Sequence, residues 1–143
     1  MGYRNLRRGR VSLGGQIYHI ITATRQRTPV FSDFSHARIA IRVLMGEDKL
    51  GTVSTLAFVL MPDHLHWLVE LGDHAEIGKV VGRIKSLIAR RLDGEVWQPG
   101  FYDHALRKDE DIATVARYIV ANPVRAGLVS SLGDYPHWDA VWM

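Results

Sequence analysis

Between residues 17 and 24 the chain reads Ile-Tyr-His-Ile-Ile-Thr-Ala-Thr. This run of β-branched and aromatic side chains predicts a strand. From residue 33 the apolar spacing lengthens. Ala37, Ala40, Ile41 and Leu44 fall on one face of a helix over 33–46, and Gly46 offers a stop signal. Two apolar runs, 52–61 and 64–71, follow as strands. Pro62-Asp63 between them predicts a hairpin, because proline presets a turn. Ile77, Val80, Val81, Ile84, Leu87, Ile88 and Leu92 keep the 3.6-residue period of a helix over 75–92. Residues 101–107 read as a fourth strand. A last helix runs from about Asp109 to Ala121, with Ile112, Val115, Ala116 and Ile119 inward. Asp109, Glu110 and Asp111 crowd its first turn, where the helix dipole favours negative charge. The aromatic segment from Tyr135 to Trp142 is expected to pack back on the domain.

The order β-α-β-β-α-β plus a C-terminal helix matches the ferredoxin-like split βαβ plan. The expected fold class is therefore α+β: an antiparallel sheet with two helices on one face. The other face is left for a third helix or a ligand. The 143 residues contain no repeat, low-complexity tract or long linker. A single domain over 1–143 is expected, with a basic N-terminal arm at about 1–16. The absence of cysteine excludes disulfides and thiolate metal sites. No apolar run approaches the roughly 20 residues of a membrane helix. The N-terminal arginines have no apolar stretch behind them, so a secretory signal is not expected. The expectation is a cytoplasmic protein with no membrane association.

Charge changes the picture more than composition does. Residues 1–32 hold Arg4, Arg7, Arg8, Arg10, Arg25 and Arg27 and no acid, although the whole chain is only +3. The remainder carries 12 bases and 15 acids, a net of −3. A basic arm on a mildly acidic body suits a polyanionic partner; its plain alternative is a solvated terminus. Lys79, Arg83 and Arg90 share a second face of the helix over 75–92, with Lys85 and Arg91 nearby. That face is either a further nucleic-acid surface or simply a solvated one.

The most informative stretch is Met61-Pro62-Asp63-His64-Leu65-His66-Trp67. Strand side chains alternate, so His64 and His66 point the same way while Leu65, Trp67 and Val69 take the packed face. Two imidazoles at that spacing can converge on one divalent ion, or they are two surface histidines without a ligand. A metal needs at least one more donor. Tyr118 and Asn122 lie four apart in Tyr118-Ile119-Val120-Ala121-Asn122-Pro123 and project from one side of the last helix, at the rim of the sheet. The tyrosine is either packing or chemistry. Asn122 either ends the helix before proline or aims its amide oxygen at a metal.

Taken together, these blocks resemble the REP-associated tyrosine transposases, relatives of the single-tyrosine insertion-sequence transposases with an HUH motif. The resemblance rests on Arg8-Gly9-Arg10 with Tyr18-His19-Ile20, on Met61 to Trp67, on Val96-Trp97-Gln98-Pro99-Gly100-Phe101-Tyr102-Asp103-His104, and on Tyr118 to Val129. It implies the HUH endonuclease fold, with His64, His66 and Asn122 as ligands of Mg²⁺ or Mn²⁺ and Tyr118 as nucleophile. It implies cleavage and rejoining of single-stranded DNA at REP-type hairpins through a 5′-phosphotyrosine. Arg4, Arg7, Arg8, Arg10, Lys79, Arg83 and Lys85 are then the candidate DNA contacts. Trp97, Phe101 and Tyr102 are candidates for stacking on bases, or core. His104 and Asp103 are candidates for places near the site, and His19 for the ligand face or for structure. A monomer is expected in preference to a dimer. The competing readings are a catalytically silent hairpin-binding protein and another HUH nuclease, such as a replication initiator or relaxase.

Overall fold

The computed structural model describes residues 15–107 and 109–141. The elements in chain order are β1 (Ile17–Ala23), α1 (Phe34–Leu50), β2 (Val53–Met61), β3 (His64–Leu71), α2 (Ile77–Arg91), β4 (Tyr102–Ala105), α3 (Ile112–Val120), α4 (Asn122–Arg125) and β5 (Trp138–Ala140). One five-stranded sheet has the order β4-β1-β3-β2-β5, and every neighbouring pair is antiparallel. The first four strands give the expected ferredoxin-like arrangement.

The two faces of the sheet are built differently, and the period-2 alternation of β3 shows how. Leu65, Trp67, Val69 and Leu71 point to one face, where they join Ile20 and Leu60 against α1 and α2. Trp67 is fully buried, and its indole Nε1 donates to Thr55 Oγ1 at 3.0 Å. Burying such a side chain contributes roughly 1.5–3 kcal/mol, provided its polar handle is satisfied. On the opposite face Ala57, Val59, Met61 and Leu68 pack against Ala116, Ile119 and Val120 of α3. That helix lies mainly over β2 and β5. The half of this face over β3, β1 and β4 therefore carries the polar side chains that the alternation sends there.

Several boundaries differ from those expected. Gly46 does not stop α1, which continues to Leu50 and ends at Gly51 in the left-handed conformation (φ 79°). The helix continues because Glu47 is itself buried against Arg83, so another turn has a packing partner. Gly72 passes so close to the Gly51 carbonyl that a Cβ would sit 2.3 Å from its oxygen. α3 begins three residues later than expected, because Asp111 caps it by accepting from the Ala113 amide. Pro123 does not end the helical path either. Ala121 and Asn122 lead into α4, where the missing proline N–H costs nothing in a first turn. The aromatic tail packs back as expected over 135–140 and adds β5 to the sheet edge, while Trp142 lies outside the described residues. Tyr135 anchors it by donating to the Leu60 carbonyl at 2.5 Å. Among the described residues no helix is long and apolar enough to cross a membrane.

Candidate active site

The hairpin β2–β3 presents the histidine pair. Met61 and His64 are cross-strand partners, so the turn is Pro62-Asp63 alone. The segment that follows β1 clamps it: the Thr24 amide donates to Asp63 O at 2.9 Å, and the Phe31 amide to Pro62 O at 3.0 Å. Strand alternation then places both His64 and His66 on the face that α3 leaves open. Their ring centroids are 4.9 Å apart.

Each imidazole has an orienting partner. His64 Nδ1 lies 2.8 Å from Asp63 Oδ1, and Arg27 Nε donates to the other carboxylate oxygen at 3.0 Å. Burial pushes Asp63 up, but its hydrogen bonds with His64 and Arg27 outweigh this and hold it below the usual carboxylate range. Arg27 reaches the turn from an unusual backbone position: Gln26 and Arg27 both have positive φ, 53° and 56°. His66 Nδ1 lies 3.0 Å from His19 Nε2, and the two rings stack with centroids 5.2 Å apart. Burial, then the neighbouring charges of His64, His19 and Arg125, lower His66 to about 3. Burial and His104 lower His19 to about 4. Both rings are therefore neutral near pH 7, the form in which imidazole ligates metal.

The row continues across the sheet. His19 and His104 are cross-strand partners on β1 and β4, and His104 Nε2 lies 3.0 Å from Glu110 Oε1 in the approach to α3. His19 thus lies on the same face as His66 and in contact with it. His104 shares that face, whereas Asp103 pairs with Ile20 and faces the other side. Asp63, Arg27 and Glu110 had no place in the site assigned from sequence. The clue to Asp63 was its place in the same turn; nothing local marks Arg27 or Glu110.

A divalent ion fits this donor set. For both His64 and His66 the Nδ1 atom is engaged by an orienting group, and among the described residues neither Nε2 has a hydrogen-bond partner. An orienting bond on one ring nitrogen that leaves the other for the metal is the usual arrangement of histidine ligands. Among the described residues no three His, Asp or Glu side chains converge as a metal site, so a third protein donor has to be of another kind. Asn122 meets that need chemically. Its Nδ2 donates to the Ile119 carbonyl at 2.6 Å, which leaves the amide oxygen as the open end.

Tyr118 is 65% exposed, too open for a packing role. The guanidinium of Arg125 lies over its ring, 3.9 Å from the centroid. The charge of Arg125 is also the smallest of the named causes that lower His66.

The candidate DNA contacts fare differently. Arg4, Arg7, Arg8 and Arg10 lie outside the described residues. Lys79, Arg83 and Lys85 are on α2, behind the sheet from the histidines. Arg83 is committed to Glu47 by two hydrogen bonds, Nε–Oε2 2.8 Å and Nη2–Oε1 2.7 Å. Lys85 donates to the Gln98 and Gly100 carbonyls at 3.1 and 2.6 Å, fastening the loop before β4. Lys79 is exposed, with Glu76 4.0 Å away. Trp97 and Phe101 are half-buried against the α1–α2 core, with Trp97 next to Phe31. Tyr102 alone of the three aromatics is open, at 57% exposure.

Comparison with known proteins agrees with this architecture. The family described as "Transposase IS200 like" matches residues 12–122. A REP-associated tyrosine transposase of Escherichia coli (strain K12) is 32% identical over 83 residues, 56% of this chain and 50% of its own length. A Haemophilus influenzae relative is 29% identical over 99 residues, 58% of this chain and 56% of its own. The chain thus spans about half the length of the curated relatives it matches. The structure of a REP-associated tyrosine transposase bound to a REP hairpin superposes with a TM-score of 0.78 over 95% of this chain and 82% of that one, at 22% identity. At that identity the likeness speaks for the fold.

Proposed function

Since this chain belongs to the IS200-like transposase family, we propose that it cleaves and rejoins single-stranded DNA at hairpins of the REP type, with Tyr118 as nucleophile. The observation that carries the reading is the pair of neighbouring rings of His64 and His66, 4.9 Å apart, together with a Tyr118 that is open to solvent near the end of α3. The solved relative bound to a REP hairpin points to the same class of substrate.

In this reading the Tyr118 oxygen attacks the scissile phosphorus. The bond from phosphorus to the phenol oxygen forms and the bond to the 3′-oxygen breaks. The phenol gives up its proton and the departing 3′-oxygen takes one, leaving a 5′-phosphotyrosine and a free 3′-hydroxyl. The phosphotyrosine keeps a diester's energy, so a 3′-hydroxyl can reverse the step and rejoin strands. His64 and His66, with Asn122 as third donor, would hold a Mg²⁺ or Mn²⁺ ion. When bound, such an ion supplies Lewis-acid stabilisation of charge on the phosphate oxygens. The chain's own contribution is orientation: Asp63 turns His64, His19 turns His66, and the Ile119 carbonyl turns Asn122.

The test uses palindromic hairpins flanking the gene, as single strands with their overhangs, incubated with the protein and Mn²⁺. A covalent protein–DNA adduct is expected from the wild type and none from Tyr118→Phe, with hairpin affinity changed less than about threefold because only the attacking oxygen is lost. An adduct surviving in Tyr118→Phe sinks the assignment and makes the exposed Tyr102 the next candidate. Binding without any adduct returns the silent hairpin-binding reading.

A further inference from the structure

Arg125 lies over the ring of the candidate nucleophile, and the preceding mechanism gives it no role. Its guanidinium lies 3.9 Å from the centroid of the Tyr118 ring. Both residues are exposed, and among the described residues Arg125 has no carboxylate partner. Its position is set by the backbone. Pro123 is buried, and the Arg125 amide donates to the Ala121 carbonyl at 3.0 Å, so α4 carries the side chain back along α3. Seven residues on a straight helix put two side chains on one face about 10 Å apart in rise, a gap that only a long side chain closes.

Resting on the reading of Tyr118 as nucleophile, we propose that Arg125 grips the non-bridging oxygens of the scissile phosphate as Tyr118 attacks. A guanidinium stacked over a phenol ring lies beside whatever joins the phenol oxygen. In this chemistry that is a phosphorus whose two non-bridging oxygens share one negative charge. The planar fork of arginine matches such oxygens in pairs, and charge-assisted hydrogen bonds of this kind are about twice as strong as neutral ones. The resting contact with the ring is weak at an exposed site, so the phosphate displaces it at small cost. Negative charge on those oxygens is greatest in the five-coordinate transition state, so the interaction favours the step over the bound ground state. Arg125 donates hydrogen bonds throughout and neither gains nor loses a proton. The tyrosine–phosphorus bond forms and the 3′-oxygen–phosphorus bond breaks as before. Arg125 therefore touches the reacting group and would be catalytic, unlike Arg27, which acts through Asp63.

The experiment measures the single-turnover rate of adduct formation at saturating flanking-hairpin oligonucleotide and Mn²⁺, alongside hairpin affinity. The proteins are the wild type, Arg125→Ala, Arg125→Lys and Tyr118→Phe. Arg125→Ala is expected to slow adduct formation by about 10²–10³, as for removal of one preorganised donor, with affinity changed less than about threefold. Arg125→Lys should recover part of the rate, since it keeps the charge without the fork. Arg125 is exposed, so both variants should melt at the wild-type temperature. If the wild type forms the adduct and Arg125→Ala forms it equally fast, the proposal fails while the nucleophile assignment stands. A loss confined to affinity also overturns it, because the arginine would then merely bind DNA. If Tyr118→Phe still forms an adduct, both readings fall together.

Discussion

Arg83 is the residue on which a charge-based reading and the structure diverge, and a single substitution decides between them. Arg83→Ala removes two hydrogen bonds from a Glu47 carboxylate that is 2% exposed, leaving Thr52 Oγ1 at 2.6 Å as its remaining side-chain partner. Breaking a buried ion pair from one side costs about 3–5 kcal/mol. The arginine side chain is 39% exposed, so water already shields part of the pair and the lower end applies. A second bound comes from the proton. Stranded in the core, Glu47 can neutralise itself, which at pH 7 costs about 3.5 kcal/mol for a glutamate of ordinary acidity. We expect a loss of about 2–3.5 kcal/mol, a fall in Tm of roughly 5–12 °C for a domain of this size. The hydrogen bonds from Arg83, helped by Thr52 and opposed by burial, hold Glu47 below its ordinary value. Because its folded value is the lower one, its contribution is complete above the unfolded value. It is lost as pH falls through the folded one. The variant's carboxyl instead favours its proton, so the gap between wild type and variant should shrink towards pH 4. The double variant Glu47→Leu/Arg83→Leu should regain most of the loss, since neither charge is then stranded. Urea denaturation at pH 7 and pH 4.5, with hairpin affinity measured across salt, checks all of this. A variant within about 0.5 kcal/mol of wild type, whose log–log salt slope falls by about 0.7, would show that Arg83 serves a DNA phosphate and not the fold.

His64→Ala and His66→Ala should each weaken Mn²⁺ binding at least tenfold by calorimetry, with only a small change in melting temperature, because both rings lie on a half-open face. If each instead loses most of its thermal stability, the pair is structural. Removal of residues 1–10 deletes four arginines from a chain whose residues 33–143 are net −3. The salt slope of hairpin binding should then flatten by up to about 3, at about 0.7 for each phosphate neutralised on a single strand. Identical slopes for the full and shortened chains would make the arm a bystander.

Wherever one side chain's period decided the outcome, sequence was sufficient. The alternation of His64, Leu65, His66 and Trp67 dictated which faces were polar and packed, because a strand can bury one set only by exposing the other. The proline turn, the inward stripe of α2 and the four-residue spacing of Tyr118 and Asn122 were legible for the same local reason. Contacts between segments far apart in the chain were not. Arg83 was one more cation on a polar face until α1 ran a turn past Gly46 and set the buried Glu47 against it. His19 could be placed on a face but not against His66, because the diagonal contact depends on the register of β1 with β3. Strand β5 was hidden in a segment too short to signal a strand, just after Pro136; it forms because Tyr135 and Ala140 find the core beside β2. Arg125 lay in plain sight as a basic residue after a proline. Only the continuation of the helical path through Pro123 put its charge over Tyr118, and the energies that decide such placements belong to packing between elements, which no local pattern encodes.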